Sequence, residues 1–292
     1  THRRISALHH IVDRLYYTVE HLMAISAYSS EQKSAAPVAI IGSGPAGLSC
    51  AYHLSLLGIR STIFEREHLP GGLLSTGIPP FRLPRRLLHR KIREIEDLGV
   101  QIRPGIAVTD FSQLFSMGYR KVFLAAGAEE AKSLGVPGEP LDGVVDALSF
   151  LRGYCIHGET GAEGKQVVVV GGGHTAFDAA RAAADAGAAS VLVSYRRPVD
   201  EMTAYVEEIR AAIDDGVKVA GLTLPAEFYG VQGSVAAVDL SRMEMSAPDD
   251  EGKSTPVRNT DQLDRVQCEL AIIAIGQEVS SCGIVSEFPR SP

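Results

Sequence analysis

The 292-residue sequence contains no tryptophan and only four cysteines. Cys50, Cys155, Cys268 and Cys282 are too widely spaced for a CxxC redox pair, and too few of them share a neighbourhood to hold an iron–sulfur cluster. Small buried thiols are the simplest interpretation of such isolated cysteines. The spacing therefore predicts unpaired thiols in a reducing, cytoplasmic setting.

Positive charge and long apolar runs are also scarce. Lysine and arginine number 28 against 35 aspartates and glutamates, a formal net charge of −7. Nucleic acids and anionic membranes both require clustered positive charge, so neither is an expected partner. No run approaches the roughly 18 apolar residues of a membrane-spanning helix, so no membrane insertion is expected. Without a GxSxG, HExxH or paired-carboxylate motif, we predict no catalytic side chain and no metal site.

The N-terminal residues 1–34 are predicted to form an amphipathic helix followed by a polar linker. Six apolar residues at alternating steps of three and four lie on one helical stripe: Ile5, Leu8, Val12, Leu15, Val19 and Leu22. Such a narrow stripe packs either on this protein's own surface or on a partner, and the sequence leaves both possibilities open.

From Pro37 onward, short apolar runs alternate with helical stretches, which is typical of parallel sheets covered by helices. The predicted strands lie at 38–41, 62–64, 121–124, 166–170, 190–194 and 270–274. A helix is predicted at 85–98, and an antiparallel excursion at the edge of the second sheet is predicted between 217 and 245. The length favours two domains. The expected fold class is α/β with two Rossmann-like dinucleotide-binding domains.

The first glycine motif comes directly after a predicted strand and opens a predicted helix. It consists of Gly42, Ser43, Gly44, Pro45, Ala46 and Gly47. In such a motif the first glycine permits a tight turn, the second admits a pyrophosphate at the positive end of the helix, and the third allows close packing of helix on strand. Glu65 closes the next strand and can accept hydrogen bonds from an adenosine ribose, which favours a nucleotide with a free 2′-hydroxyl.

The second glycine motif again lies between a strand and a helix. It consists of Gly171, Gly172, Gly173, His174, Thr175 and Ala176, where alanine is a permitted replacement for the last glycine. Arg196 and Arg197 stand where an acidic residue would otherwise bind the ribose. A guanidinium there can hold a 2′-phosphate, so we predict NADPH rather than NADH. The alternative is that Arg197 only pairs with Asp200 or Glu201.

Two such sites in one chain predict a tightly held flavin in the first and an exchanging nicotinamide nucleotide in the second. Hydride transfer between the two rings needs proximity and orientation but no acid, base or nucleophile from the protein. The predicted cofactors are therefore FAD and NADPH, with NADH the weaker candidate.

With these motifs the sequence resembles the small (β) subunit of glutamate synthase. The same module occurs in the NADPH/FAD part of dihydropyrimidine dehydrogenase and in related bifurcating transhydrogenase subunits. The similarity covers about residues 36–280. The stretches that carry it are 38–65, the GGLLSTGIPPFRLP sequence at 71–84, 171–178, 195–197 with Glu201 and Met202, and 274–277.

The resemblance implies a FAD-binding domain at 35–147, an inserted NAD(P)-binding domain at 148–264, and a truncated return to the FAD domain at 265–292. It implies that FAD contacts the first glycine motif, Glu65, Arg66, Gly72, Leu73, Arg82, Val108 and Gly127. It also implies that NADPH contacts Gly171, Gly173, His174, Thr175, Ala176, Arg196 and Arg197, with Gly276 near the cleft between the cofactors. A cation at Arg82 could stabilise a reduced flavin, the alternative being a surface arginine after the Pro79-Pro80 turn.

Two departures from the family pattern concern function. The family usually has asparagine where this chain has His174. Its cysteine-rich iron–sulfur domain is not in the sequence, so the resemblance implies an electron acceptor on another polypeptide or on a removed part of this one. The expected acceptor is a partner redox subunit that contains an iron–sulfur cluster or a flavin. Two alternatives stay open: a non-catalytic or degenerate nucleotide-binding subunit of a redox complex, and a self-contained flavin enzyme.

Overall fold

The computed structural model describes residues 37–279, apart from 129, 250, 251 and 253 and the side chains of 260 and 261. The predicted helix and linker at 1–34 and the chain after 279 lie outside these described residues. The chain divides into two compact units. The first contains the described residues up to Pro70 together with Lys91–Ala125, and the second contains Gly71–Arg90 and the chain from Ala126 onward.

Strands and helices alternate along most of the described chain. In order they are β1 (Val38–Ile41), α1 (Pro45–Leu56), β2 (Ser61–Phe64), α2 (Leu73–Thr76), α3 (Arg85–Asp97), β3 (Gln101–Arg103), α4 (Phe111–Ser116), β4 (Lys121–Leu124), β5 (Glu130–Ala131), β6 (Val144–Asp146), α5 (Ala147–His157), β7 (Gln166–Val170), α6 (His174–Asp185), β8 (Ser190–Tyr195), α7 (Val206–Asp214), β9 (Lys218–Gly221), β10 (Thr223–Val231), β11 (Ser234–Met245), β12 (Pro256–Gln267), β13 (Leu270–Ile273) and β14 (Gln277–Glu278).

The first unit is built on a parallel sheet with the strand order β3-β2-β1-β4. The two central strands, β1 and β2, are buried along their whole length, which explains their unbroken apolar character. Ile40 and Ile63 are fully buried and lie opposite each other in register. The Phe64 ring meets the edge of Tyr119, with 5.6 Å between the ring centroids.

The second unit is built on a five-stranded parallel sheet with the order β6-β13-β7-β8-β9. Alternate residues of β7 face opposite layers. Val167 and Val169 pack in a core shared with α5, α6 and α7. Val168 and Val170 pack in a second core with Phe228 and other residues of the antiparallel sheet β10-β11-β12. The α/β fold class predicted from the alternation of strands and helices is therefore confirmed.

The structure differs from the predicted domain boundaries at two strands. The run at 270–274 was expected to return to the first domain, but β13 pairs with β6 and β7 in the second sheet. β6 belongs to the same sheet although it precedes the predicted boundary at 148. An apolar run that is buried on both faces identifies a strand, but it does not say which sheet the strand joins.

The predicted antiparallel excursion is present but differs in extent. β9 joins the five-stranded sheet as a parallel edge strand, whereas β10, β11 and β12 form a separate antiparallel sheet that continues to Gln267. None of the helices in the described part of the chain combines the length and apolarity that crossing a bilayer demands.

Because Ile272 of β13 is fully buried in the second unit, Ile272→Ala should lower the free energy of unfolding by about 2–5 kcal/mol. Urea denaturation followed by circular dichroism measures this loss. Ile213→Ala is the matched control, since that side chain is 51% exposed and its removal should cost about 0.5 kcal/mol or less. Equal stability of the two variants would contradict the position of β13.

Candidate dinucleotide-binding sites

The first glycine motif connects the buried end of β1 to the start of α1. Gly42 adopts a φ of +96°, and its N–H donates to the Phe64 carbonyl oxygen at 2.8 Å. Helix α1 begins at Pro45, and its N-cap residue, Gly44, supplies no side-chain hydrogen bond. The first N–H groups of the helix therefore stay available, together with the positive end of the helix dipole, for an anionic group.

Two glycines of this motif differ in what a side chain would meet at their positions. A Cβ atom at Gly47 would lie 1.9 Å from the Gly42 carbonyl oxygen, so any side chain there would push the helix away from the turn. A Cβ atom at Gly44 would meet nothing within 4 Å. Glycine at position 47 is therefore needed for the fold, whereas Gly44 leaves open space beside the helix N-terminus.

Glu65 lies at the end of β2 and is only 5% exposed. Its Oε2 accepts hydrogen bonds from the N–H of Ser43, at 2.8 Å, and from the Ser43 hydroxyl. Its Oε1 accepts from the N–H of Glu67 at 2.9 Å. The carboxylate therefore ties the glycine turn to the neighbouring strand. A carboxylate has about four acceptor positions, so three bonds leave room for a ribose hydroxyl.

The remaining predicted residues of the first unit are less engaged. Pro45 and Ala46 are exposed in the first turn of α1, and Val108 is half-buried. Arg66 is about half exposed, with its Nε 3.3 Å from a carboxylate oxygen of Glu67. The structure thus brings the first motif and Glu65 together, while the contacts of all these residues with FAD stay predictions.

Five residues that the resemblance places on FAD or near it belong to the second unit: Gly72, Leu73, Arg82, Gly127 and Gly276. Gly72 is the N-cap of α2 at a φ of +53°, and Leu73 is the first residue of that helix. The Gly276 carbonyl oxygen accepts from the N–H of Lys132 at 3.1 Å. Their contacts with a cofactor stay predictions.

The second glycine motif connects the buried end of β7 to α6. A Cβ atom at Gly171 would lie 2.3 Å from the Ala274 carbonyl oxygen, and one at Gly172 would lie 2.6 Å from the Tyr195 ring. Gly173 is the N-cap and provides no side-chain hydrogen bond, so α6 also begins with an uncapped N-terminus at His174. Both predicted glycine motifs therefore join a buried strand to a helix whose N-terminus has no side-chain cap.

Arg196 and Arg197 follow β8 and have different surroundings. The Arg197 Nη1 donates to the Glu201 Oε2 at 2.7 Å, which is the pairing that the sequence left open as an alternative. Arg196 is exposed and forms no hydrogen bond or ion pair with any residue that the structure describes. Arg196 is therefore the available cation at this strand end.

A cluster of four charged or titratable side chains lies beside the second motif. The Arg82 Nη1 donates to Asp178 Oδ1 at 2.8 Å, and its Nη2 lies 2.6 Å from Glu208 Oε1. The other oxygen of Glu208 lies 2.6 Å from His174 Nδ1. We call these four residues the Arg82 cluster. Burial raises the pKa of Asp178, although the adjacent Arg82 guanidinium acts in the opposite direction.

The sequence did not reveal two members of this cluster. Asp178 carried a weak signal, an acidic residue in the buried alanine-rich part of a helix. Glu208 carried none, because 34 residues separate it from His174 and no motif links them. Arg82 is not an isolated surface arginine, since both of its terminal nitrogens meet carboxylates.

Three curated proteins resemble this chain at 35–41% identity. The beta subunit of the NADP(+)-dependent formate dehydrogenase of Moorella thermoacetica is 40% identical over 82% of this chain and 34% of its own length. The beta subunit of the NADPH-Fe(3+) oxidoreductase of Geobacter sulfurreducens is 41% identical over 82% of this chain and 37% of its own length. The small chain of the NADPH glutamate synthase of Escherichia coli is 35% identical over 77% and 50%. The chain thus spans a third to a half of these relatives.

Solved structures with the same fold include Mycobacterium tuberculosis FprA in complex with NADPH. The two structures superimpose with a TM-score of 0.70 at 20% identity, and the match covers 85% of this chain and 72% of the FprA chain. The thioredoxin reductase of T. acidophilum superimposes with a TM-score of 0.61 at 19% identity, and the match covers 82% of this chain and 76% of the reductase chain.

The resemblance to glutamate synthase small subunits is confirmed by these relatives. The sequence-family model for pyridine nucleotide-disulphide oxidoreductases matches residues 36–287, which is most of the sequence. This match confirms the prediction of an oxidoreductase that uses a pyridine nucleotide. The chain belongs to the pyridine nucleotide-disulphide oxidoreductase family.

Proposed function

We propose that this chain takes a hydride from NADPH onto FAD and passes the electrons to a partner redox subunit. The observation that carries the proposal is the repeated geometry of the two glycine motifs. In each unit an uncapped helix N-terminus follows a buried parallel strand, with a glycine where the ligand would approach the backbone. Two such positions give one chain two dinucleotide sites.

FAD fits the first site. The open space at Gly44 and the unpaired N–H groups of α1 suit a pyrophosphate, and Glu65 retains an acceptor position for a ribose hydroxyl. An acidic residue at this strand end would repel a 2′-phosphate, which excludes NADPH from this position. When bound, FAD supplies a ring that accepts a hydride and releases electrons one or two at a time.

NADPH fits the second site. The N-terminus of α6 is uncapped, and a Cβ atom at Gly173 would meet only the Thr203 hydroxyl, at 3.4 Å. Arg196 is available to bind a 2′-phosphate. The printed names of three relatives include NADP(+) or NADPH, which supports the same nucleotide here.

The partner subunit is inferred from the cysteines and the relatives. Cys50, Cys155 and Cys268 are free, and burial raises the pKa of Cys268 to about 11, which makes it a poor redox thiol. The next electron acceptor is therefore proposed to be an iron–sulfur cluster or a flavin, on a partner subunit or on another part of this polypeptide. Relatives described as a beta subunit or a small chain support such an assembly. Free thiols also favour a cytoplasmic location.

A pair of glycine substitutions tests the assignment of the two sites. Gly44→Ala should leave the fold intact, because the new methyl group meets no atom, but it should weaken FAD binding by about tenfold or more by occupying the space of the pyrophosphate. Gly173→Ala should weaken NADP+ binding similarly and leave FAD content unchanged. Flavin absorbance per protein after gel filtration and calorimetric titration with NADP+ measure the two effects.

Gly47→Ala is the structural control for this pair. Its methyl group would overlap the Gly42 carbonyl oxygen, so the variant should unfold at a lower temperature even without ligand. If Gly44→Ala retained as much FAD as the unmodified chain, the first site would not bind FAD in this way. A purified chain that bound neither nucleotide would favour the alternative of a degenerate subunit.

The preference for NADPH should depend on Arg196. Because a hydrogen bond to a charged group contributes about 1.5–3 kcal/mol, Arg196→Ser should lower the second-order rate constant of flavin bleaching by NADPH roughly 10- to 150-fold. The rate with NADH should change little. Anaerobic stopped-flow absorbance with each nucleotide measures both.

Arg197→Ser is the matched control, since that guanidinium is already paired with Glu201. Its effect on the NADPH rate should be several times smaller. Equal losses in the two variants would show that the Arg197–Glu201 pair opens to bind the nucleotide. Faster bleaching by NADH than by NADPH in the unmodified chain would overturn the assignment of NADPH.

A further inference from the structure

His174 is held by Glu208 at the start of the second nucleotide helix. It is the first residue of α6, and its Nδ1 lies 2.6 Å from Glu208 Oε2. The Tyr205 ring flanks the imidazole, with 4.6 Å between the centroids and 55° between the planes. The His174 side chain is 39% exposed, so part of the ring can be reached from outside.

The partner of Nδ1 determines what the other ring nitrogen can do. A carboxylate can only accept hydrogen bonds, so Nδ1 must carry a proton to bond Glu208. In the neutral imidazole Nε2 is then a bare acceptor. Within the described residues, no hydrogen bond engages Nε2. The neutral form of His174 therefore offers one acceptor of defined direction beside the helix N-terminus.

Glu208 is itself fixed by the rest of the Arg82 cluster. Its Oε1 lies 2.6 Å from Arg82 Nη2, and Arg82 Nη1 donates to the buried Asp178 at 2.8 Å. These three residues lie in different parts of the chain: Arg82 in the 71–84 stretch, Asp178 on α6 and Glu208 on α7. The orientation of His174 therefore depends on a chain of bonds that a change at Glu208 would interrupt.

The acceptor character of Nε2 and the position of Arg196 together select one half of the dinucleotide. The oxygens of the pyrophosphate and the 2′-phosphate are acceptors at neutral pH, so a bare acceptor gains nothing from them. Both halves carry donors, but those of the adenosine half, the ribose 3′-hydroxyl and the adenine NH2, lie with the 2′-phosphate. The donors of the nicotinamide half are its ribose hydroxyls and the carboxamide NH2. Arg196, the cation available for the 2′-phosphate of the adenosine half, directly follows β8 and not the start of α6.

We propose that Glu208 is a positioning residue that holds His174 as a hydrogen-bond acceptor for the nicotinamide half of NADP(H). This inference rests on the proposed function, because it assumes that the second motif binds NADP(H). It assigns a use to a histidine at a position where the resembling family usually has asparagine. Asparagine can also accept a hydrogen bond, through its amide oxygen, without a carboxylate behind it.

Calorimetric titration with two probes tests the proposal. NADP+ contains both halves, whereas adenosine 2′,5′-bisphosphate lacks the nicotinamide and its ribose. His174→Leu should weaken NADP+ binding between about twofold and twelvefold, as expected for one net hydrogen bond, and should leave the bisphosphate within about twofold. His174→Asn should recover part of the loss. Glu208→Gln should show a smaller loss that is again confined to NADP+.

Each other result has a definite meaning. If His174→Leu weakened both probes equally, or neither, the assignment to the nicotinamide half would be wrong while the proposed function still stood. If Glu208→Gln bound NADP+ as the unmodified chain does, the positioning role would be wrong. If the unmodified chain bound neither probe, the proposed function would fail and this inference with it. Thermal unfolding of each variant without ligand identifies losses that come from the fold.

Discussion

Close contact between two backbone segments at a strand-to-helix turn is the constraint on which both candidate sites depend. In the first unit, the space that a Cβ atom at Gly47 would need is filled by the Gly42 carbonyl oxygen. In the second unit, the Ala274 carbonyl oxygen fills the space that a Cβ atom would need at Gly171, the first position of the other motif. The first contact seats helix α1 against the end of β1, and the second holds the start of the other turn against the end of β13. The uncapped N-terminus that results can bind an anion through N–H groups that no side chain of the protein occupies.

The packing of the second unit explains how its glycine turn is kept in place. β7 lies inside a five-stranded sheet with β13 on one side and β8 on the other, and its valines point alternately into two cores. One core is formed with helices and the other with an antiparallel sheet. A strand held on four sides has little freedom at its carboxyl end. The Arg82 cluster adds a polar connection between the 71–84 stretch, α6 and α7.

The sequence predicted local structure well and long-range placement less well. The strands at 38–41, 121–124 and 166–170 were predicted with the observed limits. For β1 and β7 the reason is that buried parallel strands produce unbroken apolar runs, whereas β4 carries a similar apolar run although it is mostly exposed. The same signal could not assign β13 to its sheet, since strand partners depend on the path of the whole chain. The two glycine motifs were predictable from their positions between strand and helix.

Within the sites, residues tied to a motif were predictable and residues that approach from elsewhere were not. Glu65 and the arginine pair after β8 follow from the strand ends. That Arg197 is paired and Arg196 is available follows only from the structure. Glu208 has no sequence signal, because its role comes from the packing of α7 beside α6.

Direct hydride transfer between the two bound nucleotides is the central claim, and isotopic substitution tests it most directly. The measurement is anaerobic flavin bleaching after rapid mixing of the FAD-loaded chain with NADPH deuterated at the transferring C4 position, compared with unlabelled NADPH. The account predicts slower bleaching with the deuterated nucleotide, because the C–H bond breaks as the flavin is reduced. Bleaching at an identical rate under conditions where nucleotide binding is saturated and fast, or no bleaching at all, would contradict it.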